Sequence, residues 1–309
     1  MNRRIFFKQS VKAGAAIAAP AALTFDRNIM PPASSFRMKF SPEFGIFSAL
    51  SGNDLADQVK WGHDQGFKAW ENTTLKLKSV SDQEKISKTI QQLGMEFGQF
   101  VGNIDDKSSI FKEVTFAGTD QSLRDGVLKH IRESVDIAKR MNTKFIHVVL
   151  GMSHPKLPWD YQLANAIDLL KRIADIYEPH GLIMVMETMN HKVDHPGMFL
   201  HNIPQAYALA KAVNRPSVKM LFDFYHVQIQ EGHLLPNLDH VWDEVAYIQI
   251  GDTPGRKEPG SGEINYKNVL QHIHNKGYRG FVGLEHGIFK PGKEGTSSAL
   301  NAYRAVDPK

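Results

Sequence analysis

No cysteine occurs in the 309 residues, which removes disulfides, thiolate metal sites and cysteine nucleophiles together. That composition is compatible with an oxidising compartment but does not demand one. Long apolar runs are lacking too. The alanine-rich run Ala13–Leu23 is too short to span a bilayer comfortably, and no other uncharged stretch approaches the roughly 18 apolar residues a span requires. Charge of one sign is also scarce. The formal net charge is +4, but Arg3, Arg4, Lys8 and Lys12 lie within the first 25 residues, which hold no acid, so the rest of the chain balances. The basic pI therefore argues for neither nucleic acid nor a membrane surface as partner. No glycine-rich phosphate loop follows the first strand-like run, and no low-complexity tract breaks the chain.

The first 25 residues read as a separate object. Asn2-Arg-Arg-Ile-Phe-Phe-Lys8 is a twin-arginine start, followed by the apolar run and by small residues at Ala18–Ala22 that would allow cleavage. The expectation is a signal segment over residues 1–25 and export to the periplasm by the twin-arginine route. An N-terminal helix packed on the fold is the alternative.

After Phe36, strand-like and helical runs alternate eight times. The strand-like runs lie near Phe36–Phe47, Phe67–Glu71, Met95–Val101, Phe145–Gly151, Leu182–Met189, Val218–His226, Ala246–Asp252 and Phe281–His286. Between them the apolar spacing is three and four, clearest at Leu163, Ala166, Ile167, Leu170, Ile173, Ala174 and Tyr177. Gly66, Gly94, Gly181 and Gly277 each stand where a helix should stop. A hydrophobic fraction of 42% suffices for one large core. The pattern predicts an α/β fold, a (β/α)8 TIM barrel over residues 36–309, with the site at the carboxyl ends of the strands. An open doubly wound sheet would place ligands similarly and is the competing architecture. The polar segment from Asn103 to Ser122 is expected to be a long loop over the barrel mouth, as a lid or a plain insertion.

Four strand-like runs end on polar groups: Glu187, Asp223, Gln249 and Glu285. Buried parallel strands are apolar throughout, so a shared site is where their ends turn polar. Oxygen donors of this kind suit a hard divalent cation. Taken singly, such a carboxylate is most often a helix cap or a surface ion-pair partner. Four at corresponding strand ends make the functional set. His147, inside an apolar run, reads as a core histidine, while Trp70 and Glu71 line the pocket or, for Trp70, fill the barrel mouth. Glu258 and Glu263 read as loop organisers.

An ordered series of segments carries a resemblance. Phe222-Asp-Phe-Tyr-His-Val-Gln228, Ile248-Gln249, Pro254-Gly-Arg-Lys-Glu-Pro-Gly260, Gly262-Glu-Ile-Asn-Tyr266 and Gly277-Tyr-Arg-Gly-Phe-Val-Gly-Leu-Glu285 together resemble the hydroxypyruvate isomerase group. That group sits among the xylose-isomerase-like sugar isomerase and epimerase barrels. The likeness runs from about Phe36 to the end and is dense from Glu187 to Glu285. It implies a divalent metal, Mg or Mn with Co as a substitute, on Glu187, Asp223, Gln249 and Glu285. It also implies Glu187 and Glu285 as the acid/base pair and His226 and Arg256 as substrate contacts. Glutamine rather than histidine at position 249 points to the hydroxypyruvate isomerase side rather than the epimerase branch.

The implied chemistry interconverts a 2-hydroxy aldehyde and its ketone through an enediolate, most concretely hydroxypyruvate and tartronate semialdehyde, with two carboxylates moving the proton. Two departures bear on substrate: His191 and Lys192 replace a threonine–arginine pair usual in the group, and His286 replaces a tyrosine. Both changes are expected near the substrate. The expected partner is a small hydroxy-keto acid or keto-sugar, without nucleic acid or a stable membrane span, and a homo-oligomer is compatible with the sequence. A keto-sugar 3-epimerase is the alternative. A non-catalytic sugar-binding barrel would not need both Glu187 and Glu285, and an endonuclease IV-like hydrolase would need more histidine ligands and several metals.

Overall fold

The computed structural model describes residues 35–107 and 109–309; the signal segment expected over residues 1–25 lies outside them. The elements run β1 (Lys39–Pro42), α1 (Ser48–Ser51), α2 (Leu55–Asp64), β2 (Ala69–Trp70), α3 (Val80–Gln92), β3 (Glu96–Phe97), α4 (Gln121–Met141) and β4 (Phe145–Val148). They continue with α5 (Trp159–Tyr177), β5 (Ile183–Glu187), α6 (Ile203–Val213), β6 (Val218–Asp223), α7 (Phe224–Gln230), α8 (Leu234–His240), β7 (Val245–Ile250), α9 (Tyr266–Asn275), β8 (Phe281–Leu284) and α10 (Gly292–Val306).

Pairing is parallel, in the order β1-β8-β7-β6-β5-β4, with β2 on β3. Parallel bridges Glu43–Glu71 and Val101–His147 join the two groups. Glu71 N–H donates to Pro42 O at 3.0 Å and His147 N–H donates to Phe100 O at 2.9 Å. The eight strands thus close on themselves, which is the TIM barrel and excludes the open sheet.

The period of two along each strand sorts the side chains. Ala69, Phe145, Val185, Leu221, Tyr247 and Phe281 bury together as one layer. Two residues further along the same strands stand Glu71, His147, Glu187, Asp223, Gln249 and Gly283, so the next layer toward the carboxyl ends is polar. The alternate residues, such as Met184, Met186, Met220, Phe222, Ile248 and Val282, join the large cluster that holds the helices. In α5, Ala166, Leu170, Ile173, Ala174 and Tyr177 are buried, with Leu163 and Ile167 half-buried against the same core. Gly66, Gly94, Gly181 and Gly277 adopt positive φ of 64–89° at the helix exits.

Two expectations need adjusting. The run Val218–His226 is not all strand: β6 stops at Asp223, whose Oδ1 accepts from Tyr225 N–H at 2.9 Å and caps α7, so His226 is helical. Phe-Tyr-His-Val has strand propensity, but the cap overrides it. The segment Asn103–Ser122 is packed on the strand ends rather than loose. Ile104 and Ile110 bury with Val149, Met189 and Met198, Phe111 stacks on His195 at 5.8 Å, and Gln121 and Ser122 already open α4. No helix of the described residues is long and apolar enough to cross a membrane.

Candidate functional site

Glu187 ends β5, Asp223 ends β6, Gln249 is the penultimate residue of β7 and Glu285 follows β8 directly. Register makes Asp223 the partner of Gln249, and Gln249 the partner of Gly283, so the four groups occupy adjoining strand ends. Glu187, Asp223 and Gln249 are buried and Glu285 is half-buried. Packing carboxyls together without water favours their protonated forms. Burial pushes Asp223 up to about 7, with Arg256 acting in the opposite direction. Burial likewise raises Glu187 and Glu285, each adjacent to further acids.

Two histidines flank Glu187. His147 Nε2 lies 3.1 Å from Glu187 Oε2, and His226 Nε2 lies 3.6 Å from Glu187 Oε1 and 3.8 Å from Asp223 Oδ2. Burial pushes His147 down to about 4 and His226 well below the usual imidazole range, so both are neutral at pH 7. The tautomer of His226 follows from Asn190. The Asn190 Oδ1 accepts from Val193 and Asp194 N–H, which turns its Nδ2 toward His226 Nδ1 at 2.6 Å; Asn190 N–H donates to the same nitrogen at 3.3 Å. With Nδ1 an acceptor, the ring proton sits on Nε2 and points at the carboxylates. His226 is therefore a donor toward the site. A ligand atom from each of Glu187, Asp223 and His226 lies within 4.8 Å of the others, but this tautomer suits a substrate oxygen better than a cation.

Arg256 is brought in by a loop folded around Asp252. The Asp252 carboxylate, fully buried, accepts backbone N–H from Thr253, Gly260, Gly262 and Ile264 at 2.8–3.0 Å. Arg256 takes φ 51° at the turn and its side chain folds back over the Tyr225 ring at 4.9 Å. Its Nη2 lies 3.1 Å from Asp223 Oδ2 and 3.2 Å from Glu285 Oε2. Turn-rich loops ordinarily solvate arginine; here the buried organising acid turns it inward. Glu258 organises the same region by accepting from Phe289 N–H at 2.8 Å.

Buried oxygens without a hydrogen bond include Glu187 Oε1, Gln249 Oε1 and Glu285 Oε2. Buried acceptors are normally satisfied; here Glu187 Oε1 and Gln249 Oε1 are left over, Glu285 Oε2 keeps only its contact with Arg256 Nη2 at 3.2 Å, and all three are hard oxygen donors of the kind a divalent cation takes. A pocket of about 550 Å³ lined by Glu43, Thr73, Glu285, His286 and Lys290 leads to this end of the barrel. Another, of about 370 Å³, opens at the amino end among Glu96, Lys144, Leu182 and Phe281, away from every strand-end acid.

The two departures are held by neighbouring side chains and backbone, and His286 also lines the pocket that leads to this end of the barrel. His286 stacks on Tyr303 of α10 and hydrogen-bonds its hydroxyl. His191 stacks on His201 at 3.7 Å and bonds Met198 O, while Lys192 is exposed. Three residues near the site escape a motif reading: Asp252, His147 as neighbour of Glu187, and Glu71. Glu71 and His147 each stand two residues beyond an inward apolar side chain, Ala69 and Phe145, whereas Asp252 follows the outward Ile250 and had no such signal.

The sequence profile described as "Xylose isomerase-like TIM barrel" matches residues 59–306. The hydroxypyruvate isomerase of Escherichia coli is 32% identical over 169 residues, 55% of this chain and 64% of that one. The 2-oxo-tetronate isomerase of Pectobacterium atrosepticum is 30% identical over 158 residues, 51% of this chain and 60% of that one. The chain thus spans about three fifths of the length of these curated relatives. Among solved structures, one titled AP endonuclease, family 2, from Brucella melitensis superposes with a TM-score of 0.73 at 24% identity, covering 87% of this chain and 98% of that one. At that identity the likeness concerns the fold alone.

Proposed function

Since this chain belongs to the xylose isomerase-like TIM-barrel family, we propose that it is a divalent-cation-dependent isomerase. It interconverts a 2-hydroxy aldehyde and the adjacent ketone through an enediolate, and its concrete reaction is hydroxypyruvate to tartronate semialdehyde. The observation that carries this reading is the pair Glu187 and Glu285, on strand ends either side of Asp223 and Gln249, each with a buried oxygen that makes no hydrogen bond and with a raised pKa. The relatives named hydroxypyruvate isomerase and 2-oxo-tetronate isomerase support it.

Glu187, Asp223, Gln249 and Glu285 would hold Mg2+ or Mn2+, with Co2+ as a substitute. When bound, the ion polarises the carbonyl and hydroxyl oxygens of the substrate, worth several kcal/mol. One glutamate takes the proton from the carbon beside the carbonyl and the other returns a proton to its neighbour. Carboxyls raised toward neutrality suit both halves of that exchange. His226 donates from Nε2 to a substrate oxygen, and Arg256 offers its remaining N–H groups to hydroxyl or carboxylate oxygens.

A keto-sugar 3-epimerase is the second reading, because one placement observation favours it. Lys192 is exposed and His191 is tied to Met198 O, so neither brings an added cation to a carboxylate substrate. Proton NMR in D2O of the full chain with Mg2+ tests both, using hydroxypyruvate and a panel of ketoses. Deuterium entering the carbon beside the carbonyl, lost with chelator and with Glu285→Gln, is the expected result. No exchange with any substrate by a chain that binds the cation would overturn the reading.

A further inference from the structure

In the same layer as Glu187 and Asp223 lies a fourth carboxylate that the reaction above does not use. Glu71, at the end of β2, has no exposed surface, and neither have its neighbours Gln99, Tyr247 and Gln249. Gln99 Nε2 and Gln249 Nε2 each donate to Glu71 Oε1 at 3.3 Å, and the Tyr247 hydroxyl donates to Glu71 Oε2. The barrel is hollowed to admit this group. A Cβ at residue 283 would stand 2.5 and 2.6 Å from the two Glu71 oxygens, and one at residue 98 would overlap the Tyr247 hydroxyl, so glycine occupies both positions.

A carboxamide can be turned either way by half a rotation, and only its surroundings choose. Gln249 meets Glu71 Oε1, an oxygen that already accepts from Gln99 Nε2 at 3.3 Å and so takes an amide N–H rather than facing an amide oxygen. Its NH2 side is thereby committed to Glu71, and its Oε1 is left buried without a hydrogen bond, next to Asp223 in register. We propose that Glu71 is a positioning residue: it locks the Gln249 carboxamide with the oxygen presented to the cation, while itself touching neither cation nor substrate. Tyr247 and Gln99 hold Glu71 in turn, and Gly98 and Gly283 make its room. The inference deepens the cation-dependent reading and rests on it.

Titration of the full chain with Mn2+, with free ion followed by electron paramagnetic resonance, reads this directly and independently of turnover. Glu71→Met keeps the length and removes the acceptor. Its Mn2+ affinity should fall about tenfold or more, the usual consequence of losing a partner behind a ligand. Glu71→Gln keeps an oxygen for the Gln249 N–H and should recover most of that loss. On a Gln249→Ala background, Glu71→Met should add nothing, because the ligand it orients is gone.

A folded Glu71→Met chain that binds Mn2+ as tightly as the unaltered protein would overturn the proposal, as would an undiminished effect of that change without Gln249. If Glu71→Met fails to fold, Tyr247→Phe, which frees one Glu71 oxygen, should weaken Mn2+ binding in a folded chain, and unchanged affinity there would overturn it equally. No Mn2+ binding by the unaltered chain would instead remove the cation-dependent reading, and the proposal with it.

Discussion

His147 and Glu187 meet across β4 and β5, Nε2 to Oε2 at 3.1 Å, with both side chains shielded from water. Burial keeps the imidazole neutral down to about pH 4 and raises the glutamate to about 8, so at pH 7 this contact is not an ion pair. Asp223 and Glu285 share the one guanidinium of Arg256. Were all three strand-end acids ionised they would outnumber the positive charge facing them, a balance that a divalent cation would restore.

Cation binding should accordingly stabilise the fold. At a concentration about a hundredfold above the dissociation constant, Mn2+ should add roughly 2.7 kcal/mol, seen as a rise in Tm of several degrees that a chelator reverses. Scanning calorimetry with and without the ion checks this; an unmoved Tm would speak against a cation at Glu187, Asp223, Gln249 and Glu285.

Glu187→Gln and Glu285→Gln should each leave the circular dichroism spectrum intact and reduce turnover by about 10²–10⁴, the range for a positioned acid or base. Steady-state kinetics on both variants are the measurement. A variant retaining near-normal kcat would relieve that glutamate of any role in proton transfer.

Asp252→Asn should loosen the loop that carries Arg256. An amide in place of one carboxylate oxygen sets its own N–H groups against backbone N–H donors, two of which lose their acceptor. The expected cost is about 2–4 kcal/mol, from the usual 1–3 kcal/mol for each buried group left unsatisfied. Urea unfolding reads the stability, and limited proteolysis should cut between residues 253 and 264 faster than in the unaltered chain.

Glu43 gives a pH dependence with a definite sign. Burial raises its carboxyl from 4.5 to about 7, against hydrogen bonds from Asn72 and Thr73 that act to lower it. The folded chain then holds a proton that the unfolded chain releases near 4.5. The stability tied to that proton is complete below pH 4.5 and is lost as pH rises through about 7. Glu43→Gln removes this dependence, so in chelator its stability relative to the unaltered chain should improve between pH 5 and pH 8. Paired urea titrations at the two pH values would refute the assignment if the difference stayed constant.

Much of this architecture could be read from residue pattern. Strand ends at Glu187, Asp223 and Glu285 were visible because short apolar runs stop abruptly at an acid, and the closed barrel followed from eight alternations. What the pattern hid was cooperative. Asp223 both closes β6 and caps α7, so propensity alone extended the strand through His226. Arg256 was reached only through the family resemblance, because a turn-rich loop gives no hint that Asp252 will gather four N–H groups and fold the guanidinium inward. His286, singled out because it replaces a tyrosine of the group, lines the pocket and also stacks on Tyr303 of α10, a contact that no local spacing encodes. Glu71 was legible as a pocket residue, but its hold on Gln249 depends on β2 and β7 meeting side chain to side chain inside the closed barrel, which no local spacing encodes.

The wall of the barrel is not sewn evenly. Ladders of three or four residue pairs bind β4 through β8 and β1, whereas β2 and β3 share two pairs and are tied to β1 and β4 by one bridge each. Amide exchange with solvent should enter along those two staves first. Glu71 stands at the tip of one of them, so breathing of the thinnest part of the wall is transmitted straight to the carboxamide of Gln249.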